Sequence, residues 1–162
     1  MQILLKKNLF SLIKKYSVKD SSGRDLLRVE KKPFSITDKH KVMDLTENCI
    51  CEIKKKVWSI FPKYRIIFTG GEVLEVSKNR GIINKKFFIK SLNSEYLVEG
   101  NVIDNEFQIK NGQEEIAKVQ RTVINMFKAY DIQIREIKNV PIVISAIIAM
   151  DIIKYKKLSY LI

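Results

Sequence analysis

The longest apolar run in the chain, V-P-I-V-I-S-A-I-I-A-M-D-I-I at Val140–Ile153, lies close to its end and has to be enclosed by something. At about 1.5 Å per residue it forms ~20 Å of helix, shorter than the roughly 20 apolar residues that a bilayer core requires. Ser145 and Asp151 are its only polar members, so no polar stripe is left to face water. Asn139 is placed to cap its start, Pro141 suits a first turn, and Lys154, Lys156 and Lys157 follow where the helix dipole favours cations. Enclosure of the helix at about 140–153 by protein is expected ahead of insertion into a membrane. The remaining chain must then supply the enclosure.

That chain is strand-like and repetitive. Phe10-Ser11-Leu12, Phe34-Ser35-Ile36 and Trp58-Ser59-Ile60 recur at intervals of 24, and each leads into an alternating segment. A period of two puts Tyr16 and Val18, Tyr64 and Ile66, Phe87 and Ile89, Phe107 and Ile109, and Tyr130, Ile132 and Ile134 on one face. Turn signals follow, of which Gly70-Gly71 and Asn111-Gly112 are the strongest, and return strands place Leu27 and Val29, Cys51 and Ile53, Leu74 and Val76, Val98 and Val102, and Ala117 and Val119 inward. With an opening strand near Ile3–Lys6 this makes about twelve strands in an antiparallel barrel. At ~4.8 Å spacing and ~40° tilt such a barrel is roughly 24 Å across, too wide for strand side chains alone to fill. A central helix ~10 Å in diameter fills it, and Gly100, inward by phase, is expected to let that helix approach the wall.

The 162 residues suit one domain spanning 1–162. No signal peptide is read at the N-terminus, where Lys6 and Lys7 break the apolar run, and a cytoplasmic location is expected, with peripheral attachment to a membrane as an extension of it. Cys49 and Cys51 share a strand face and are read as reduced thiols, neither a disulfide nor part of a zinc site. The net charge of +12 would draw nucleic acid or anionic membranes, but only six of the 30 cationic residues are arginine. Without a nucleic-acid-binding motif, nucleic acid is disfavoured as a partner.

In order and spacing the chain resembles the LURP-one-related family of the tubby C-terminal superfamily, to which phospholipid scramblases are similar. The resemblance is carried by the opening L-L-K-K-N-L-F-S-L, by P-F-S-I-T-D-K and K-K-V-W-S-I-F-P-K-Y, by Y-L-V-E-G-N-V-I-D-N-E-F, and by the closing V-P-I-V-I-S-A-I-I-A-M-D. It covers essentially the whole chain and implies a mainly β fold, a closed antiparallel barrel of about twelve strands around a central hydrophobic C-terminal helix. For function it implies less: tubby proteins bind phosphoinositides, and scramblases are associated with a calcium-binding segment and a membrane-inserted C-terminal helix. D-S-S-G-R-D at 20–25 lacks the carboxylate density of a calcium loop, which sets this chain apart from calcium-dependent lipid transport.

No nucleophile, phosphate-loop, dinucleotide or zinc-hydrolase motif occurs, and no catalytic residue, metal or cofactor is expected. His40, the only histidine, stands where the repeat has Tyr16 and Tyr64, and reads as an inward aromatic substitute. Trp58 reads as a packing residue, and Asp20, Asp44 and Asp104 as caps of turns. In an up-and-down barrel the connections alternate between ends. Lys7, Lys14, Lys15, Lys31, Lys32, Lys54, Lys55, Lys56, Lys63, Lys85 and Lys86 gather at one end, with Phe10, Phe34, Trp58 and Phe127 among them, while Asp20, Asp25, Asp44, Glu47, Glu72, Glu95, Glu114 and Glu115 gather at the other. These lysines are the candidate binding residues for anionic lipid or phosphoinositide head groups in a non-enzymatic binding or scaffold protein. The alternatives are a scramblase-like protein whose helix leaves the barrel, and an enzyme whose cleft groups His40 with carboxylates. The sequence specifies neither a protein partner nor an oligomeric state.

Overall fold

A computed structural model describes residues 1–8, 14–32, 38–78, 87–102, 104–124 and 127–156, with side chains 14–15, 124, 127–128 and 155–156 outside the description. The strands are β1 (Gln2–Lys7), β2 (Lys14–Asp20), β3 (Asp25–Lys31), β4 (Lys39–Met43), β5 (Cys49–Lys55), β6 (Lys63–Phe68), β7 (Val73–Lys78), β8 (Phe87–Lys90), β9 (Glu95–Asn101), β10 (Glu106–Asn111), β11 (Glu114–Ile124) and β12 (Phe127–Ile134). A short 3-10 turn, Ile137–Asn139, leads into α1 (Val140–Lys156). Each strand pairs antiparallel with its neighbours in sequence, and β1 closes on β12 with Ile3 opposite Ile132 and Leu5 opposite Tyr130. The result is a closed, mainly β barrel of twelve strands around one C-terminal helix.

Alternation decides which side chains fill it. Ile3, Leu5, Val18, Val29, Ile53, Tyr64, Ile66, Leu74, Val76, Phe87, Ile89, Ile109, Val119 and Ile132 are all buried, facing the helix residues Val143, Ile144, Ala146, Ile147, Ile148, Ala149 and Met150. The helix lies nearest β5, β6 and β7. Ser145 does not disturb this packing, because its hydroxyl donates back to the carbonyl oxygens of Pro141 (2.6 Å) and Ile142 (3.1 Å). Cys51 sits inward beside it, and burial pushes its thiol up to about 12, which makes it inert at neutral pH. Cys49 and Cys51 are free thiols, as their shared strand requires. No helix among the described residues is long and apolar enough to cross a membrane.

Three expectations are corrected here. The helix runs to Lys156 rather than ending at about Ile153, with Lys154 of its last turn held by the barrel mouth described below. Asn139 is not the cap, because the 3-10 turn absorbs it, its N–H donating to Glu136 O at 3.0 Å, and winding continues from Glu136. Gly100 does not make room for the helix. It is exposed, has φ +109°, and a Cβ there would lie 2.6 Å from Glu106 O and 2.9 Å from Phe107 Cα, so the close neighbour is β10.

Candidate functional site at the basic end of the barrel

Odd-numbered strands up to β11 run toward one end, and even-numbered strands start from it. Lys7 ends β1, Lys31 ends β3, Lys55 ends β5 and Lys78 ends β7. In register across the sheet they stand opposite Tyr16, His40, Tyr64 and Phe87 respectively. Those four aromatic side chains are buried, and directly paired residues share a face. The four lysines therefore cap the inward face and turn into the mouth of the barrel, not out from its rim. Two of them lie over the rings beside them, Lys7 at 5.9 Å from the Tyr16 centroid and Lys78 at 5.6 Å from that of Phe87.

The last two turns of α1 add the mouth's polar floor. Asp151 is 2% exposed and accepts hydrogen bonds from the hydroxyls of Tyr16 (2.8 Å) and Tyr130 and from Lys7 Nζ (3.1 Å). One turn on, Lys154 Nζ donates to the Val102 carbonyl (3.0 Å), to Asn105 Oδ1 and to the Tyr130 hydroxyl (3.3 Å). Burial brings the Lys154 ammonium down to about 8; Asp151 opposes that fall, and the nearby cations Lys7 and Lys78 add to it. On the opposite side Tyr64 donates to Asp38 Oδ2 at 3.1 Å, and Lys31 stands 3.4 Å from Asp38 Oδ1. The phenols at these inward positions are thus polar handles, satisfied by carboxylates where plain phenylalanine would need none. His40 is buried edge-on to Tyr16 with ring centroids 6.4 Å apart, in the aromatic position the repeat assigned to it.

The outer wall carries a second set of cations. Glu52 bridges Lys39 and Lys54 at 2.6 Å each, and Glu75 bridges Lys56 (3.0 Å) and Lys63 (3.1 Å). Partial burial works to raise the Glu52 carboxyl, but its hydrogen bonds from Lys39 and Lys54 draw it down to about 2. Glu75 is lowered in the same way, against burial, by Lys56 and Lys63, and the bond to Glu52 raises Lys54. Lys32 and Lys55 have no ion pair among the described residues.

Between β5 and β6, residues 56–62 project from this end with Val57 62%, Trp58 96% and Ile60 91% exposed. Trp58 is therefore not a packing residue. The repeat aligned it with Phe10 and Phe34, but its connection carries it clear of the barrel, where no core reaches it. Among the other candidates, Lys85, Lys86, Phe10 and Phe34 lie outside the described residues, as do the side chains of Lys14, Lys15 and Phe127. Asp20 and Asp44 cap their turns as expected, Asp20 accepting from Ser22 N (2.8 Å) and Arg24 N (3.0 Å), Asp44 from Thr46 N and Asn48 N (2.9 Å each). At the third turn the cap is Asn101, whose side-chain oxygen accepts from Asp104 N at 3.2 Å.

The far end carries Asp20, Asp25, Asp44, Glu47, Glu95 and Glu114, several of them matched by cations such as Arg24, Lys19, Arg28, Lys90 and Arg135. It also exposes Leu45, Leu92 and Ile137 on three separate connections and Val73 at the start of β7. Sequence reading placed Lys7, Lys31, Lys54, Lys55, Lys56 and Lys63 at the right end but as one undivided rim; it missed Asp151, Tyr16, Tyr130, Asn105 and Lys154 as a cluster. The signals were a lone carboxylate inside an apolar helix and tyrosine, not phenylalanine, at the inward positions nearest that end.

Residues 1–151 match the family model described as LURP-one-related. An X-ray structure of a protein from Arabidopsis thaliana is similar in fold, with a TM-score of 0.60 at 12% identity over 93% of this chain and 91% of that one. No curated protein sequence matches the chain.

Proposed function

The chain belongs to the LURP-one-related family, and from that premise and the geometry of its basic end we propose that it is a non-enzymatic barrel protein that docks on anionic phospholipid surfaces. One observation carries the reading. Trp58 and Ile60 stand almost fully exposed on a connection flanked by Lys54, Lys55, Lys56 and Lys63. Water-exposed tryptophan and isoleucine side by side cost free energy in solution, and they regain it at a lipid interface, where indole rings settle at head-group depth. Lysines around them add about 1 kcal/mol each beside an anionic leaflet, reduced here where Glu52 and Glu75 already hold them. The barrel supplies a rigid mount, and α1 stays inside it.

The test is vesicle co-sedimentation with neutral and with phosphatidylserine-containing vesicles across a salt series. Wild type is expected to bind the anionic vesicles only, more weakly as salt rises, and to show a blue shift of Trp58 fluorescence. Trp58→Ala with Ile60→Ser should lower the partition by about tenfold or more while leaving thermal unfolding unchanged. Equal binding by that variant, or none by wild type, overturns the proposal.

A further inference from the structure

Every strand of the barrel has a neighbour on both sides, but not always along its whole length. β11, 11 residues long, pairs with β12 from Ala117 to Ile124 and with β10 only from Glu114 to Val119. β10 cannot follow it further. It starts at Glu106, directly after a turn in which Asn105, at φ +63°, donates its N–H to the Val102 carbonyl at 3.3 Å. That turn is pinned from inside the barrel, because Lys154 Nζ holds both the Val102 carbonyl and Asn105 Oδ1. Continued in register, Glu106 lies level with Gln120, so residues 121–124 pass beyond the start of β10. Among the described residues they have a strand on one side and none on the other.

An open edge of this kind is a template for another strand, and proteins blunt such edges with proline, bulges or charge. Arg121-Thr122-Val123-Ile124 has no proline and no register shift against β12, and three of its four residues are β-branched. Its one blunting device is the charge of Arg121. Arg121 and Val123 are exposed and Thr122 is half-buried, so the edge is open to solvent. Arg121 makes no ion pair or hydrogen bond among the described residues. From Lys118 to Tyr130 the ribbon carries the cations Lys118, Arg121 and Lys128 and no acidic residue. A second copy meeting the same edge would set like charges together in a chain of net charge +12, whereas an acidic strand meets a counter-charge. Asp104 and Glu106 stand at the near end of the gap, which places the partner's acid opposite Arg121 and beyond.

We propose that the open edge of β11 at residues 121–124 is a docking site for an extended acidic segment of a partner protein, which joins the β11–β12 ribbon as a third strand. Backbone hydrogen bonds supply the affinity, and a carboxylate opposite Arg121 supplies the choice of partner. The ribbon lies across the barrel from the β5–β6 connection that carries Trp58, six strands away in either direction around the ring. The proposal goes beyond the membrane reading and does not rest on it.

The probe is a blocked, fluorescently labelled heptapeptide in which glutamate alternates with valine, titrated by anisotropy against the full chain. A counterpart with lysine in place of glutamate, and an acidic version with its central amide nitrogens methylated, are titrated beside it. The acidic peptide is expected to bind about tenfold or more tightly than either, and to add hydrogen-exchange protection at residues 121–124. Arg121→Glu should weaken the acidic peptide about tenfold and strengthen the lysine peptide. Lys118→Glu makes the same charge change lower on β11, between Gln108 and Gln133, where β10 already occupies the edge, and should weaken the acidic peptide about threefold at most. Both positions are exposed, so thermal unfolding of the two variants should match that of wild type.

Equal binding of the methylated peptide shows attraction of charge without strand pairing and overturns the site. Equal weakening by the two variants does the same, as does the absence of acidic-peptide binding. A dimer in sedimentation velocity whose interface protects residues 121–124 places a second copy on the edge and also overturns the proposal. Trp58→Ala, lowering vesicle binding but not peptide binding, keeps the edge and the membrane readings apart.

Discussion

Replacing Asp151 by asparagine tests whether the helix is tied into the barrel mouth by charge. The carboxylate is buried and accepts three hydrogen bonds, from Tyr16, Tyr130 and Lys7. An amide of the same shape keeps one acceptor oxygen but turns its NH2 toward groups that are themselves donors, and it leaves the Lys7 ammonium without a counter-charge. Removing one partner of a fully buried pair costs about 3–5 kcal/mol, but Lys7 is 23% exposed and solvent screens it, so about 3 kcal/mol is expected. For a chain of this length that corresponds to a fall in Tm of ~9 °C. Urea unfolding followed by circular dichroism, with Lys7→Gln and the double variant completing a cycle, measures it. Lys7→Gln alone should cost about 1 kcal/mol, and the double variant should be more stable than the sum of the singles implies by a similar amount. An Asp151→Asn protein within ~0.5 kcal/mol of wild type, or strict additivity, would refute the idea that this ion pair holds the helix.

Two further outcomes follow from the geometry. Gly100→Ala drives a Cβ into the backbone of β10 at 2.6 and 2.9 Å from a φ of +109°, and should cost about 3 kcal/mol in urea unfolding; a loss under ~1 kcal/mol would mean that β9 relaxes freely. Glu52 has a folded pKa of about 2 against 4.5 unfolded, so the unfolded chain binds the extra proton in that window. Its contribution to stability is present above pH 4.5 and lost as pH falls toward 2; the urea midpoint of Glu52→Gln should therefore vary less steeply with pH over that range than that of wild type.

Much of the fold was legible because strand parity is a property of the local backbone. Tyr16, Val18, Tyr64, Ile66, Phe87 and Ile89 turned inward wherever a period of two put them, and His40 took the aromatic position its place in the repeat assigned. The apolar run at 140–153 had to be enclosed, and its length matched the barrel that encloses it. Local reading failed where a neighbour from elsewhere decided. Gly100 obeyed the period in sequence, but its positive φ and its register with Phe107 turned it toward β10. Trp58 copied Phe10 and Phe34 in sequence, yet its own connection leaves it almost fully exposed, which no local pattern encodes.

The candidate site divides along the same line. The sequence by itself determined that lysines recur every 24 residues and that an alternating topology must carry them to one end, because both follow from chain direction and strand length. Only the tertiary structure decided that Asp151, Tyr16, Tyr130 and Lys7 meet, and that Glu52 and Glu75 each clamp two lysines. Register across a sheet and the depth of a helix inside a barrel bring together residues up to 144 apart in the chain, and that distance is set by packing of the whole molecule, which no local pattern encodes.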